Sequence, residues 1–147
     1  MEYRYYAAFE PDPDGGILVT FADVPEAITH GADHAEALAS AQEALGLALR
    51  GYPYDEKEIP RPMATEGVPV TVSADDALKI AVISAFRQAR ISKAELARRL
   101  GKAENEARRI LDPGHATKLG PMQAALAALG KEVVITIRTL HDQTARS

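Results

Sequence analysis

Apolar and polar positions along this chain change rhythm several times, and each change marks an element. Tyr3 to Phe9 is rich in aromatic and small apolar residues, the composition of a strand. Pro11-Asp12-Pro13-Asp14-Gly15-Gly16 breaks it, a turn whose glycines supply the positive φ of a tight hairpin. Ile17 to Phe21 is the return strand, ended by Asp23-Val24-Pro25 because proline donates nothing to a ladder. Ile28 to His30 reads as a short third strand. At Asp33-His34-Ala35-Glu36 a helix opens, with the Asp33 carboxylate accepting an orphan N–H and Glu36 reaching back. Leu38, Ala41, Leu45 and Ala48 step by three and four, which predicts a helix over 34–50 stopping at Gly51. Residues 52–67, with Pro53, Pro60 and Pro62, read as a loop, and Val68 to Ser73 alternates like a further strand. The order β-β-β-α-β is a small sheet with one helix on one face.

The second half has a helical rhythm. Asp75 to Ala89 carries Leu78, Ile80, Val82, Ile83 and Phe86, apolar nearly all round and so mostly buried. Ser92-Lys93-Ala94-Glu95 has the spacing of a capping box, opening a helix that turns Leu96, Ala97 and Leu100 inward and stops at Gly101. Asn105 to Leu111 starts another, with Ala107, Ile110 and Leu111 apolar. Two short helices joined by a glycine turn form a helix-turn-helix, whose second member would lie in a DNA major groove. Asp112-Pro113-Gly114-His115 is a turn. A fourth helix follows, starting near Thr117 or at Pro121, buried along Leu119, Met122, Leu126 and Leu129 and ended by Gly130. Val133-Val134-Ile135-Thr136-Ile137 reads as a strand without a neighbour in this half. An unpaired apolar strand is a liability, and pairing with a second copy across a two-fold axis relieves it. The alternative is that it joins the first-half sheet. The polar last residues, 139–147, read as a tail.

Charge sharpens this division. Residues 1–73 hold thirteen acids and four bases, a net of −9; residues 74–147 hold eight acids and thirteen bases, a net of +5. A basic helical half suits nucleic acid, and an acidic half suits a basic protein. The chain has no Cys, which removes disulfides and thiolate metal sites and fits a reducing cytoplasm. Its start lacks the pattern of a secretory signal, and no apolar run is long enough to span a bilayer.

The residues also resemble a known family. Phe21-Ala22-Asp23-Val24-Pro25, Thr29-His30-Gly31-Ala32-Asp33 and Glu36-Ala37-Leu38 resemble the HicB antitoxins. So do the run from Ile91 to Gly101, Arg108-Arg109-Ile110-Leu111-Asp112-Pro113, and Ala125 to Gly130. The resemblance implies an α+β protein: a degenerate, partial ribonuclease H-like domain (1–73), then a lambda-repressor-like helix-turn-helix and dimerisation domain (74–138). It implies binding of a HicA-type mRNA-cleaving toxin through residues 1–73 and repression of its own operon through residues 92–118; the unpaired strand adds the expectation of a homodimer or higher oligomer, and no cofactor is expected. By position it makes Glu104, Asn105 and Arg109 candidate base readers and Lys93, Lys102 and Lys118 candidate phosphate contacts, with Arg98, Arg99 and Arg108 beside them. Ala22 and Glu26 stand where the family usually has proline and glycine. Ala103, Glu104, Asn105 and Glu106 replace the Ser, Thr and Gln common at the start of a recognition helix.

Other chemistries fit less well. His30 and His34 have a metal-ligand spacing, but the helix begins between them and no third ligand is evident. Two-metal nuclease chemistry needs converging carboxylates, whereas Asp12 and Asp14 lie in a turn, Asp23 ends a strand and Glu10 sits at a strand terminus. The expectation is a non-enzymatic protein. A stand-alone helix-turn-helix regulator with a ligand-sensing first domain is the alternative.

Overall fold

A computed structural model describes residues 2–140. Its first unit is a sheet of four antiparallel strands, β1 (Arg4–Pro11), β2 (Ile17–Phe21), β3 (Ile28–Gly31) and β4 (Val68–Thr71), in the order β3-β2-β1-β4. The Asp12–Gly16 turn closes the first hairpin: Gly15 and Gly16 have φ of 99° and 79°, and the Asp14 N–H donates to Asp12 Oδ1 at 2.9 Å. Register places Ala7 opposite Phe21 and Tyr5 opposite Val70, so these four share one face. Helix α1 (His34–Tyr54) covers that face. Tyr5, Phe21, Val19, Val70, Ala41, Leu45 and Leu49 are buried between the two layers.

Two details of α1 differ from the sequence-based expectation. The helix continues three residues past Gly51, with Pro53 inside its last turn. Pro53 is buried and Tyr52 packs on the sheet core, so burial extends the helix past a permissive stop signal. The buried stripe is Ala37, Ala41, Leu45 and Leu49, while Leu38 is exposed. A repeat of four selects 37, 41, 45 and 49; the mixed three-and-four reading drifted one position round the helix.

β4 pairs antiparallel with β1, and β3 runs parallel to β1, since both oppose β2. The chain leaving α1 must therefore travel back along the sheet before β4 can start. Residues 55–67 make that journey. Tyr5 OH donates to the Pro60 carbonyl at 2.6 Å, and Asp23 Oδ2 accepts the N–H groups of Met63 and Ala64 at 2.9 Å each.

The second unit is helical: α2 (Ala74–Ala89), α3 (Lys93–Leu100), α4 (Glu104–Leu111) and α5 (Leu119–Ala128). Val82, Leu96, Ala107, Ile110, Met122 and Leu126 form its core. Ile80, two residues before Val82, belongs to the sheet core instead, so α2 serves both cores. The expected strand at Val133, Val134, Ile135, Thr136 and Ile137 is not a strand here: residues 131–140 are irregular, and neither edge of the sheet takes them up. Backbone in a strand needs a ladder partner, and a single chain supplies none at this place. Val133 packs partly against the helical core, whereas Val134, Ile135 and Ile137 are 76%, 72% and 91% exposed. The expected tail 139–147 lies outside the described residues from residue 141 onward.

The two units meet where α1 crosses α2. A Cβ at Gly46 would sit 2.0 Å from Asp76 Oδ2, so the absent side chain is what permits this approach. Asp76 in turn holds Arg50 of α1 at 2.5 Å. Gly→Ala inside an exposed helix ordinarily adds about 1 kcal/mol. Here Gly46→Ala is expected to destabilise by about 1–3 kcal/mol, because Asp76 must leave Arg50. A lowered urea midpoint at unchanged slope checks this; a raised midpoint would show that the α1–α2 contact yields freely.

Candidate nucleic-acid interface

The α3–α4 pair is built from local signals. Ser92 Oγ accepts the Glu95 N–H at 3.0 Å and starts α3. Gly101 ends it at φ 64°. The Gly101 N–H reaches the Arg98 carbonyl and the Lys102 N–H reaches that of Ala97, the two bonds of a Schellman motif. No atom crowds a Cβ built at Gly101, so the backbone angle alone calls for glycine. Leu96 and Ala97 of α3 and Ala107, Ile110 and Leu111 of α4 are buried against each other and α5, and Leu100 is half-buried.

Helix α4 has Ala103 at its N-cap, whose methyl side chain accepts no hydrogen bond. Glu104 and Glu106 occupy its first turn, where carboxylates complement the helix dipole. At its other end, Lys79 of α2 is buried at 1% exposure. Its Nζ donates to Ile110 O at 2.8 Å, Arg109 O at 3.3 Å and Thr117 Oγ1 at 2.7 Å. The Ile110 carbonyl lies in the last turn, where the helix supplies no N–H of its own, while the Arg109 carbonyl also accepts from the Asp112 N–H at 3.2 Å. Burial, with the Arg50 guanidinium nearby, pushes the Lys79 ammonium down to about 8. Arg50 also donates to the Pro113 carbonyl at 2.8 Å. The ammonium therefore fixes the end of α4 to α2, and the guanidinium fixes the turn after α4 to α1.

The sequence-derived site residues separate into two groups. Arg98 and Arg99 converge on Glu95, at 2.5 and 3.1 Å, and together they hold the Glu95 carboxyl down to about 2. Arg99 also points toward the C-terminal end of α5, within 3.4 Å of the Ala128 carbonyl. Lys102 pairs with Glu106 at 3.4 Å, and Arg108 with Glu104 at 2.9 Å. Lys93, Arg109 and Lys118 have no carboxylate partner among the described residues, and Asn105 is exposed on the same helix as Arg109. Lys118 precedes the first turn of α5, again without a side-chain cap, which leaves N–H donors beside a cation, an arrangement suited to phosphate.

The sequence reading did not single out Lys79, Arg50 or Asp76. A lysine inside an otherwise apolar helix, between Leu78 and Ile80, was the available signal for the first. Arg50 and Asp76 carried none, because their meeting depends on how α1 crosses α2. The two histidines part company: His30 Nε2 lies 2.8 Å from the Gly15 carbonyl and braces the hairpin, while His34 packs its ring on Phe9. A cleft of about 230 Å³ opens beside Arg50, Lys79 and Thr117, with charged walls. No helix among the described residues is long and apolar enough to cross a membrane.

Comparison with known proteins gives consistent matches. Residues 4–86 match the profile of the HicB_like antitoxin of bacterial toxin-antitoxin system. The chain is 39% identical over 140 residues to Antitoxin HicB of Escherichia coli K12, covering 91% of this chain and 99% of that protein. It is 43% identical over 130 residues to Antitoxin HicB 2 of Photorhabdus laumondii, covering 88% and 93%. Against Antitoxin HicB of Pseudomonas fluorescens it is 31% identical over 140 residues, covering 93% and 94%. The profile ends within α2, whereas the relatives extend across α3, α4 and α5.

The buried Lys79 generates a pH signature. Its folded value near 8 lies below the ordinary 10.5, so the unfolded chain binds more protons between these limits and stability rises with pH from about 8 toward 10. Above pH 10 the trend reverses, because Tyr5 is pushed up to about 12 and the unfolded chain ionises first. Lys79→Met is expected to abolish the rise; at pH 7 the loss from the unpaired Ile110 carbonyl, about 1–3 kcal/mol, is offset by removal of a buried charge, so the net change there is small. Urea titrations at pH 7, 8, 9 and 10 check both effects; an unchanged pH profile would remove Lys79 as its source.

Proposed function

The chain belongs to the HicB antitoxin family, so it is a non-enzymatic antitoxin, and on that premise we propose that it neutralises a HicA-type mRNA-cleaving toxin and represses its own operon. The observation that carries this reading is similarity along nearly the whole length of the HicB antitoxins, in a chain whose charge divides −9 against +5. Residues 1–73 form the toxin-binding domain. Three antiparallel strands followed by a helix on one face support the degenerate, partial ribonuclease H-like reading. Its negative charge suits a cationic RNA-binding protein and speeds the encounter.

Residues 74–138 form a lambda-repressor-like DNA-binding and dimerisation domain. Helix α4 enters the major groove, Asn105 pairs with adenine, Arg109 with guanine, and Glu104 accepts from a cytosine amino group. Lys93 and Lys118 hold phosphates, with Lys102 and the three remaining arginines as further contacts. Two copies join through Val133, Val134, Ile135, Thr136 and Ile137, whose side chains, all but Val133 exposed, gain a ladder and cover when paired. The dimer sets the half-site spacing. The setting is the cytoplasm, where toxin, transcript and operator meet.

Co-expression with a HicA-type toxin tests the toxin arm: growth is rescued and the two proteins co-purify. A toxin that stays lethal and elutes alone would overturn it. On the DNA arm, Lys93→Ala and Lys118→Ala are expected to weaken all duplexes alike and to flatten the salt dependence by about one unit each. Asn105→Ala is expected to relax base preference at one position, by about 1–3 kcal/mol of discrimination. Binding titrations across salt concentrations separate the two kinds of residue; if neither change alters duplex affinity, α4 is not the reading helix.

A further inference from the structure

The acidic residues on the reading surface are placed one by one against its cations. Glu104 holds Arg108 one turn ahead of it, and Glu106 holds Lys102 one turn behind. Both carboxylates remain about half exposed, at 47% and 50% of their side-chain surface, so each neutralises a cation and still faces outward. Glu95 is shared by Arg98 and Arg99 and offsets one of their two charges. Non-specific affinity for duplex DNA is set by how many phosphates a protein neutralises. Here the cation count overstates what an arbitrary phosphate backbone meets.

We propose that Glu104 and Glu106 form a specificity filter, suppressing binding to arbitrary DNA by repelling phosphates and by holding Arg108, within α4, and Lys102, in the turn before it, in pairs four residues apart. The filter rests on the DNA-binding reading and assigns these two residues a role in discrimination. Exposed pairs four residues apart are weak, so they part at little cost on any DNA, and the penalty comes mainly from the carboxylates set against phosphates. At a matched site, Glu104 finds a base amino group to accept from, and Arg108 is released to a phosphate or base. At a mismatched site Glu104 finds no such group, and two carboxylates stay against the backbone. The penalty therefore falls on wrong sequences and spares right ones, as discrimination by built-in repulsion requires.

The test compares full-length wild type with Glu104→Gln, Glu106→Gln and the double variant. The probes are a random-sequence 20-base-pair duplex and a duplex selected from a random pool by the wild-type chain. Glu43→Gln on α1 makes the same change in net charge away from the surface. Random-duplex affinity is expected to tighten severalfold in each single variant and roughly tenfold in the double, with a salt dependence steeper by up to about one unit per variant. The selected duplex gains less, so the preference ratio falls, and Glu43→Gln moves neither probe by more than about twofold. Circular dichroism confirms that α4 remains folded without its first-turn carboxylates. If wild type prefers the selected duplex while random-duplex affinity stays unchanged in the double variant, the filter is wrong and the DNA-binding reading stands. If Glu43→Gln tightens random binding equally, bulk charge replaces the filter. If no form binds either duplex even in dilute salt, both readings fall.

Discussion

Arg50 sits where α1, α2 and the turn after α4 come together, and its position depends on a missing side chain. Gly46 lets α1 approach α2 until Asp76 reaches the guanidinium, which then donates onward to the Pro113 carbonyl. Arg50 and Asp76 are each about one-sixth exposed, at 17% and 16%. Breaking a fully buried pair costs about 3–5 kcal/mol, and partial exposure lowers that cost here without removing it. Lys79 continues the same junction, since its ammonium completes the open carbonyl end of α4. The placement of α4 is thus settled from behind, by residues that do not lie on its exposed face. A sheet-bearing unit and a helical unit are held in one arrangement by α2, which contributes to both apolar cores, and by the polar contacts at their seam.

That seam explains where the sequence was legible and where it was not. Local signals translated directly: the Gly-Gly turn, the Asp33 and Ser92 caps and the glycine at 101 each act within a few residues, and each occupies the expected place. Helix ends and faces translated less well. Gly51 permits a stop but does not impose one, and the core contacts of Tyr52 and Pro53 prolong α1. Leu38 fits the apolar rhythm by type yet is exposed, because the sheet selects a face that begins at Ala37. Contacts between distant positions, such as Arg50 with Asp76 or Lys79 with Ile110, leave no trace in periodicity. The run at 133–137 is the opposite case: its composition is that of a strand, but a strand is a relation between two segments and a single chain presents one.

Charge repeats the lesson at two scales. Over seventy residues the sign of the net charge selects the class of partner, because distant fields add. Over one helical turn the same residues cancel, because i,i+4 neighbours meet. The cations of α3 and α4 read as a single basic surface in the sequence, yet Arg98, Arg99, Lys102 and Arg108 are engaged with carboxylates three or four positions away. Lys93, Arg109 and Lys118 retain the long-range character that the net charge suggests.

The acidic first turn of α4 then has two physical causes acting together. With alanine at the N-cap, the helix lacks the side-chain oxygen that ordinarily accepts its first N–H groups, and carboxylates at Glu104 and Glu106 offset part of that deficit through the dipole. A serine at position 103 would supply the cap without adding negative charge, so helix stability alone does not require acids there. Their cost falls on any encounter with a polyanion, whatever its sequence. A surface that needs strong binding everywhere would discard them. On the proposed DNA-binding reading, a surface that needs weak binding almost everywhere, with strength reserved for sites whose bases suit Asn105 and Arg109, gains from keeping them.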